Sequence, residues 1–247
     1  MKEGVIYVCD NSKQHQTELL HSVKSLNKSN PNIKTAVFTN INKRWLSKFH
    51  QCYPINECLH PLKNKVLSII NSPFEKTLYL DVDTEICGDI SNLFTLLDQY
   101  DLCLTHEPKI DYSQRPPLFI NYSRKDEFNT GLILYKKTSP VSTLFEKWFN
   151  QIYQVENKKL KVGIYDDQLL FNQCFSANVM KCQFNVLNNR IFNTRFRAYF
   201  NMNNDIKDAV IIKHWHYLNK SKITIKLEEY YIYLLRVLFK IEREQIM

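Results

Sequence analysis

A chain of 247 residues that is 44% hydrophobic is long enough to bury the core of one large α/β domain. Its formal net charge of +8 points to anionic partners, and lysines dispersed along the chain argue against nucleic acid, which needs a basic patch interleaved with aromatics. The four glycines, at 4, 88, 131 and 163, spell neither G-x-G-x-x-G nor G-x-x-x-x-G-K, which excludes the Rossmann and P-loop ways of holding a nucleotide.

In chain order, Val5 to Cys9 reads as a buried strand ending at Asp10-Asn11-Ser12. Its apolar run is too short for a signal peptide or a membrane span. The seven cysteines, at 9, 52, 58, 87, 103, 174 and 182, form no C-x-x-C pair. Free thiols in a reducing compartment fit that scatter, so the expected location is cytoplasmic, with the inner face of a membrane as a second place. Leu19, Leu20, Val23 and Leu26 repeat at helical spacing, and Thr35 to Thr39 is a second strand. A short helical stretch from Arg44 to His50 leads to a brief strand near Tyr53. Lys63 to Ile70 is a helix with Val66, Ile69 and Ile70 inward, closed by Asn71-Ser72-Pro73.

Leu78-Tyr79-Leu80 then predicts a buried strand running into Asp81-Val82-Asp83-Thr84-Glu85. Ile90 to Tyr100 reads as a helix, Leu102 to Thr105 as a strand, and residues 107–127, with three prolines, as a long loop of functional length. Thr130 to Tyr135 is a strand and Val141 to Tyr153 a helix. A basic loop from Asn157 to Val162 precedes a short helix starting near Asp166. Val179 to Phe184 and Ala209 to Lys213 are expected as later strands. This alternation predicts a mainly parallel sheet flanked by helices, with ligands outside the carboxyl ends of the strands. Asp10, Asp81, Asp83 and His106 should share that edge. Residues 1–222 are expected to form the domain and 223–247 a C-terminal amphipathic helix. The apolar stripe of that helix (Leu227, Tyr230, Tyr231, Leu234, Leu238, Ile241) suits docking, a dimer contact or a membrane interface.

Side chains alternate along an extended chain, so Asp81 and Asp83 should point the same way. Two carboxylates together repel each other and cost desolvation unless a cation sits between them. They are hard oxygen ligands suited to Mg²⁺ or Mn²⁺ and leave room for diphosphate oxygens. Downstream, His214 and His216 follow an apolar strand, and Lys220 lies close after them. A histidine there is either structural or a third ligand, and a lysine would neutralise phosphate as a point charge.

Four blocks, KNKVLSIINSPFEKTLYLDVDT, FNTGLILYKK, DDQLLFN and IIKHWHYLNKSK, occur in the order found in GT-A-fold glycosyltransferases. The chain resembles family 8 of these enzymes, the glycogenin and lipopolysaccharide galactosyltransferase type, over most of residues 4–222. The resemblance implies the α/β GT-A fold, Mn²⁺ or Mg²⁺ as cofactor, and a nucleotide diphosphosugar donor, a UDP-sugar in this family. It implies that Asp81 and Asp83 hold the metal and the donor's ribose and diphosphate. His214 would be the third ligand and Lys220 the diphosphate lysine. Lys63 or Lys65 stands near the family's arginine, Asn129 and Gly131 match the donor-sugar wall, and Asp167 and Gln168 match the pair beside the anomeric carbon. Asp10 and Asn11 match the base-contacting end of the first strand, although Cys9-Asp10-Asn11-Ser12 departs from the family's D-D-N-Y.

The implied activity is transfer of a sugar, with retention, to a hydroxyl on a glycan, glycolipid or other acceptor. Two alternatives stand beside it. One is a nucleotide-sugar fold that binds without catalysis. The other is a haloacid-dehalogenase-like phosphohydrolase, whose pattern wants Thr or Val where Glu85 stands.

Overall fold

The computed structural model describes residues 2–56, 59–107, 109–111, 119–121, 127–157, 167–176, 182–197 and 210–216. Lys220, the basic loop after Asn157 and the tail 223–247 lie outside the described residues.

The first half is a run of strands and helices: β1 (Glu3–Val8), α1 (Lys13–Ser29), β2 (Thr35–Phe38), β3 (Gln51–Tyr53), α2 (Pro61–Ile70), β4 (Lys76–Leu80) and β5 (Thr84–Ile86). There follow α3 (Leu93–Leu96), β6 (Leu102–His106), β7 (Lys109–Asp111), β8 (Phe119–Asn121), β9 (Phe128–Lys136) and α4 (Ser139–Asn157). The last elements are α5 (Asp167–Ser176), β10 (Phe184–Leu187), α6 (Asn189–Phe192), β11 (Thr194–Arg197) and β12 (Ile212–His216).

Seven strands form one sheet in the order β10-β6-β9-β4-β1-β2-β3. Only β9 runs antiparallel to its neighbours, β4 and β6; every other pairing in this sheet is parallel. This is the expected α/β architecture of a mainly parallel sheet covered by helices. Successive residues feed opposite faces, as the period of two in a strand demands. Val5, Tyr7, Leu78, Leu80, Leu132 and Leu134 pack beneath α1 and α3. Ile6, Tyr79, Ile133 and Tyr135 pack on the other face with Val66 and Ile69 of α2, Trp148 of α4 and Phe171 of α5. Strands buried on both faces read as continuous apolar runs, which is why they were legible in the sequence.

Two of the helices that approach the sheet's carboxyl edge, α1 and α2, begin with a local cap. The Ser12 hydroxyl accepts from the His15 amide at the start of α1. His60 Nδ1 accepts from the Leu62 amide at the start of α2, with Pro61 in the first turn, where its missing N–H costs nothing.

Several expected elements differ. The helix predicted over 90–100 is one helical turn, Leu93–Leu96, which buries Leu93 and Phe94 and is followed by a turn that buries Leu97. Arg44–Lys48 is a 3-10 turn with no fully buried residue; only Trp45 and Leu46 pack partly against the core, too little to hold a full helix. Of the strand expected over 179–184, residues 179–181 lie outside the described residues, and the described strand is Phe184–Leu187, in parallel register with β6. Within the 107–127 loop, β7 and β8 pair as an antiparallel ribbon. Its strands, three residues each, are too short to carry a period that separates them from loop.

The largest correction concerns the aspartates. β4 ends at Leu80, and Val82 and Asp83 form a turn, closed by the Thr84 hydroxyl donating to the Asp81 carbonyl at 2.9 Å. The chain is not extended there because β5 leaves the large sheet for a second one, ordered β11-β12-β5. That departure positions the site.

Candidate metal and donor site

β5 pairs antiparallel with β12, with His214 opposite Thr84. The register sets the histidine one residue from Asp83 across the ladder. Asp81, Asp83 and His214 each offer a ligand atom, and these atoms lie within 4.8 Å of one another. His214 is 4% exposed, and its Nε2 stands 3.1 Å from Asp83 Oδ1. Its Nδ1 meets Asn193 Oδ1 at 2.9 Å, and Asn193 in turn donates to the Thr105 hydroxyl at 3.1 Å. With Nδ1 engaged, Nε2 is the nitrogen that faces the carboxylates. Two hard oxygens and one borderline nitrogen in this space suit Mg²⁺ or Mn²⁺, the imidazole favouring Mn²⁺. His216 closes β12 two residues later, with its side chain outside the described part.

Gly131 explains part of this proximity. A Cβ there would stand 2.5 Å from His214 Cε1 and 2.7 Å from Asp81 Oδ2. The Gly131 carbonyl also accepts from the Asp81 amide at 2.8 Å. The glycine permits both groups to close on the backbone of β9.

A lysine braces the carboxylates from below. Lys65 Nζ lies 3.2 Å from Asp81 Oδ1 and 2.7 Å from Asp167 Oδ2, and Thr130 Oγ1 donates to the same Asp167 oxygen at 3.0 Å. Burial works to raise the Asp167 pKa, but Lys65 and the Thr130 hydroxyl override it and hold the carboxyl below the usual aspartate range. Burial likewise works to lower the Lys65 pKa, and Asp167 and Asp81 hold it above the usual lysine value instead. The other lysine, Lys63, reaches α4 instead, its Nζ 4.2 Å from the centroid of the Tyr153 ring. Of the two basic residues left open by the sequence, Lys65 joins the carboxylates.

Gln168 sits next to Asp167 at the start of α5, and its Oε1 accepts from Asn129 Nδ2 at 3.1 Å. Asn129 also donates to Glu107, and its Oδ1 accepts from the Gly131 amide at 2.8 Å. The expected sugar-side residues are thus one hydrogen-bonded group.

A cleft of about 820 Å³ opens beside Asp81, Asp83 and Asp167, at the carboxyl ends of β1 and β4. It is lined by Asp10, Asn11, Gln14, His15 and Glu18 from the β1–α1 turn and α1, and by the apolar Ile55, Leu59, Pro61 and Leu62 before and at the start of α2. Lys65, Tyr79, Asp81, Asp83 and Asp167 form its floor. It lies where strand order reverses, with β2 on one side of β1 and β4 on the other, the place where ligands bind in open α/β sheets. Asp10 Oδ1 is engaged by the Ser12 amide at 2.9 Å and by His15 Nδ1 at 2.8 Å. His106 ends β6 at the same edge, but its ring stacks on Phe128 at 4.6 Å between centroids.

Several residues of this constellation were not singled out from the sequence. Thr130 sits inside the F-N-T-G block, and its hydroxyl was passed over between two expected site residues. Tyr79 precedes Asp81 by two, so a period of two already placed both on one side of the strand. Asn193 and Glu18 carried no local signal; only the fold brings them here.

No protein-family model matches the chain, and no curated protein matches its sequence. Solved structures do match. The glycosyltransferase GlyE of Streptococcus pneumoniae TIGR4 aligns with all of this chain at a TM-score of 0.56 and 18% identity. Its apo form aligns at 0.58 and 19%. Mouse xyloside xylosyltransferase 1 aligns with 87% of this chain and 97% of its own at 0.54 and 14%. The fold is the GT-A glycosyltransferase fold. At these identities the GT-A likeness is one of fold, and the chain spans 62% of the length of the GlyE structures.

Proposed function

We propose that this protein is a GT-A glycosyltransferase that moves a sugar from a nucleotide diphosphosugar, a UDP-sugar, to an acceptor hydroxyl with retention of configuration. The observation that carries the reading is the Asp81, Asp83 and His214 cluster, whose two aspartates line a nucleotide-sized cleft. Structural neighbours that are glycosyltransferases favour it over the phosphohydrolase alternative.

In this reading Asp81, Asp83 and His214 hold the divalent cation. When bound, the cation supplies positive charge beside the leaving diphosphate, an electrostatic stabilisation. The apolar wall of Ile55, Leu59, Pro61 and Leu62 packs against the base, while Asp10 and Asn11 orient it by hydrogen bonds. Asp167, kept ionised by Lys65, faces the positive charge that grows at the anomeric carbon as its bond to the diphosphate oxygen breaks. Gln168 and Asn129 fix the donor sugar, and the acceptor hydroxyl oxygen forms the new bond to that carbon while its proton passes to the departing diphosphate oxygen. Lys220 is assigned to the diphosphate on sequence grounds. A glycan or glycolipid is the acceptor class, and the C-terminal stripe is assigned to a peripheral membrane contact.

The test is release of UDP from a panel of UDP-sugars with and without Mn²⁺. The expected result is Mn²⁺-dependent turnover that Asp83→Ala abolishes. Full activity in that variant would remove the assignment.

A further inference from the structure

Asp81 has two oxygens, and its surroundings treat them differently. Oδ1 accepts from the Tyr79 hydroxyl at 2.6 Å and lies 3.2 Å from Lys65 Nζ. Oδ2 is the oxygen beside the Cα of Gly131, on the side where His214 Cε1 also approaches. The phenol is 2% exposed and projects from β4 two residues before the aspartate, on the same face of the strand. A buried hydroxyl aimed at one carboxylate oxygen fixes the carboxylate's rotation, because only one orientation keeps that bond.

We infer that Tyr79 is a positioning residue for the cation. Its hydroxyl and Lys65 occupy Asp81 Oδ1 and turn Oδ2 alone toward Asp83 and His214, so that Asp81 serves as a one-oxygen ligand. The inference rests on the cation reading of this cluster and adds to it a residue that acts on the cation through Asp81 rather than as a ligand. Groups that orient metal ligands from behind typically change metal affinity about 10–100-fold when removed. The ring of Tyr79 packs among Ile6, Ile133 and Val66, and Tyr79→Phe keeps that packing while deleting only the hydroxyl.

The experiment is Mn²⁺ titration of the whole chain, without donor, followed by the electron paramagnetic resonance of free Mn²⁺. Wild type, Tyr79→Phe and Leu78→Ala are compared at low temperature, with circular dichroism confirming that each is folded. Leu78 is buried on the opposite face of the same strand, so Leu78→Ala reports what lost packing alone does to the site. The expected result is a Kd for Mn²⁺ about tenfold or more weaker in Tyr79→Phe, and within twofold of wild type in Leu78→Ala. If Tyr79→Phe weakens binding no more than Leu78→Ala does, Tyr79 is a packing residue and the inference is overturned. If wild type itself binds no Mn²⁺, the cation reading fails first, a result distinct from failure at Tyr79.

Discussion

Lys65 Nζ stands 2.7 Å from Asp167 Oδ2, tying α2 to the first residue of α5 beneath the cleft. Both side chains are largely buried, at 12% and 14% side-chain exposure, so each depends on the other for a counter-charge. The same ammonium reaches Asp81, and one lysine therefore links the candidate cation site to the candidate sugar site.

Removing that ammonium leaves two carboxylates without it. Lys65→Met is expected to cost about 3–5 kcal/mol of stability at neutral pH, measured by urea denaturation. The sign of the pH dependence follows from Asp167, whose folded pKa is depressed. Its pairing contributes in full above the unfolded aspartate value of about 3.9 and is lost as pH falls through the folded value. On the lysine side the folded pKa is raised, so that contribution fades only at alkaline pH. The gap between wild type and variant should therefore narrow in acid. A gap that is constant from neutral pH into acid would contradict the pairing.

Gly131→Ala places a methyl 2.5 Å from His214 Cε1 and 2.7 Å from Asp81 Oδ2. Both are groups of the proposed cation site, so something must shift there. The variant is expected to lose about 1–3 kcal/mol of stability by overpacking and at least tenfold in Mn²⁺ affinity. Calorimetric titration checks the second figure, and unchanged affinity would show that the glycine serves another purpose.

Asn193 supports His214 through Nδ1 rather than touching the cluster. Asn193→Ala frees the imidazole to rotate and to change tautomer. Mn²⁺ affinity should fall about 10–100-fold. Asn193→Asp, which keeps an acceptor at Nδ1, should recover most of it. Equal affinity in all three proteins would remove Asn193 from the site.

Glu18 lines the cleft at 3% exposure and accepts one hydrogen bond, from Gln14 at 3.0 Å. Burial, followed by the neighbouring Asp83 charge, raises its pKa against the relief from Gln14. A raised carboxyl favours the folded state in acid relative to neutral pH: the unfolded chain gives up its proton first, and the penalty is complete above the folded value. Glu18→Gln should therefore raise the melting temperature at neutral pH and leave it nearly unchanged at acidic pH. A variant that melts lower at neutral pH would mean that the ionised form is stabilised.

The parts of the fold that were legible in the sequence are those whose local pattern coincides with burial. β1, β2, β4 and β9 are apolar runs buried on both faces, and α1 and α2 carry a stripe at helical spacing. Asp81, Asp83 and His214 were legible as candidate hard and borderline ligands, although His214 lies in the middle of β12 rather than after a strand. The turn at Val82-Asp83 was not, because it is imposed by the pairing of β5 with β12, more than a hundred residues away in the chain. Asn193, Thr105 and Glu18 escaped for the same reason: each is an ordinary polar residue locally and acquires a role only through tertiary contact. The choice of Lys65 over Lys63 turned on helix rotation, since the two are only two residues apart on α2 and face different partners.

The account stands on a cation and a diphosphosugar binding together at Asp81, Asp83 and His214. A thermal-shift panel of nucleotide diphosphosugars, with and without Mn²⁺, tests this most directly, because a ligand that binds only the folded chain raises its melting temperature by mass action. The predicted result is stabilisation by UDP-sugars that requires Mn²⁺ and disappears in Asp83→Ala. Stabilisation that is equal without Mn²⁺, or that persists in Asp83→Ala, would contradict it.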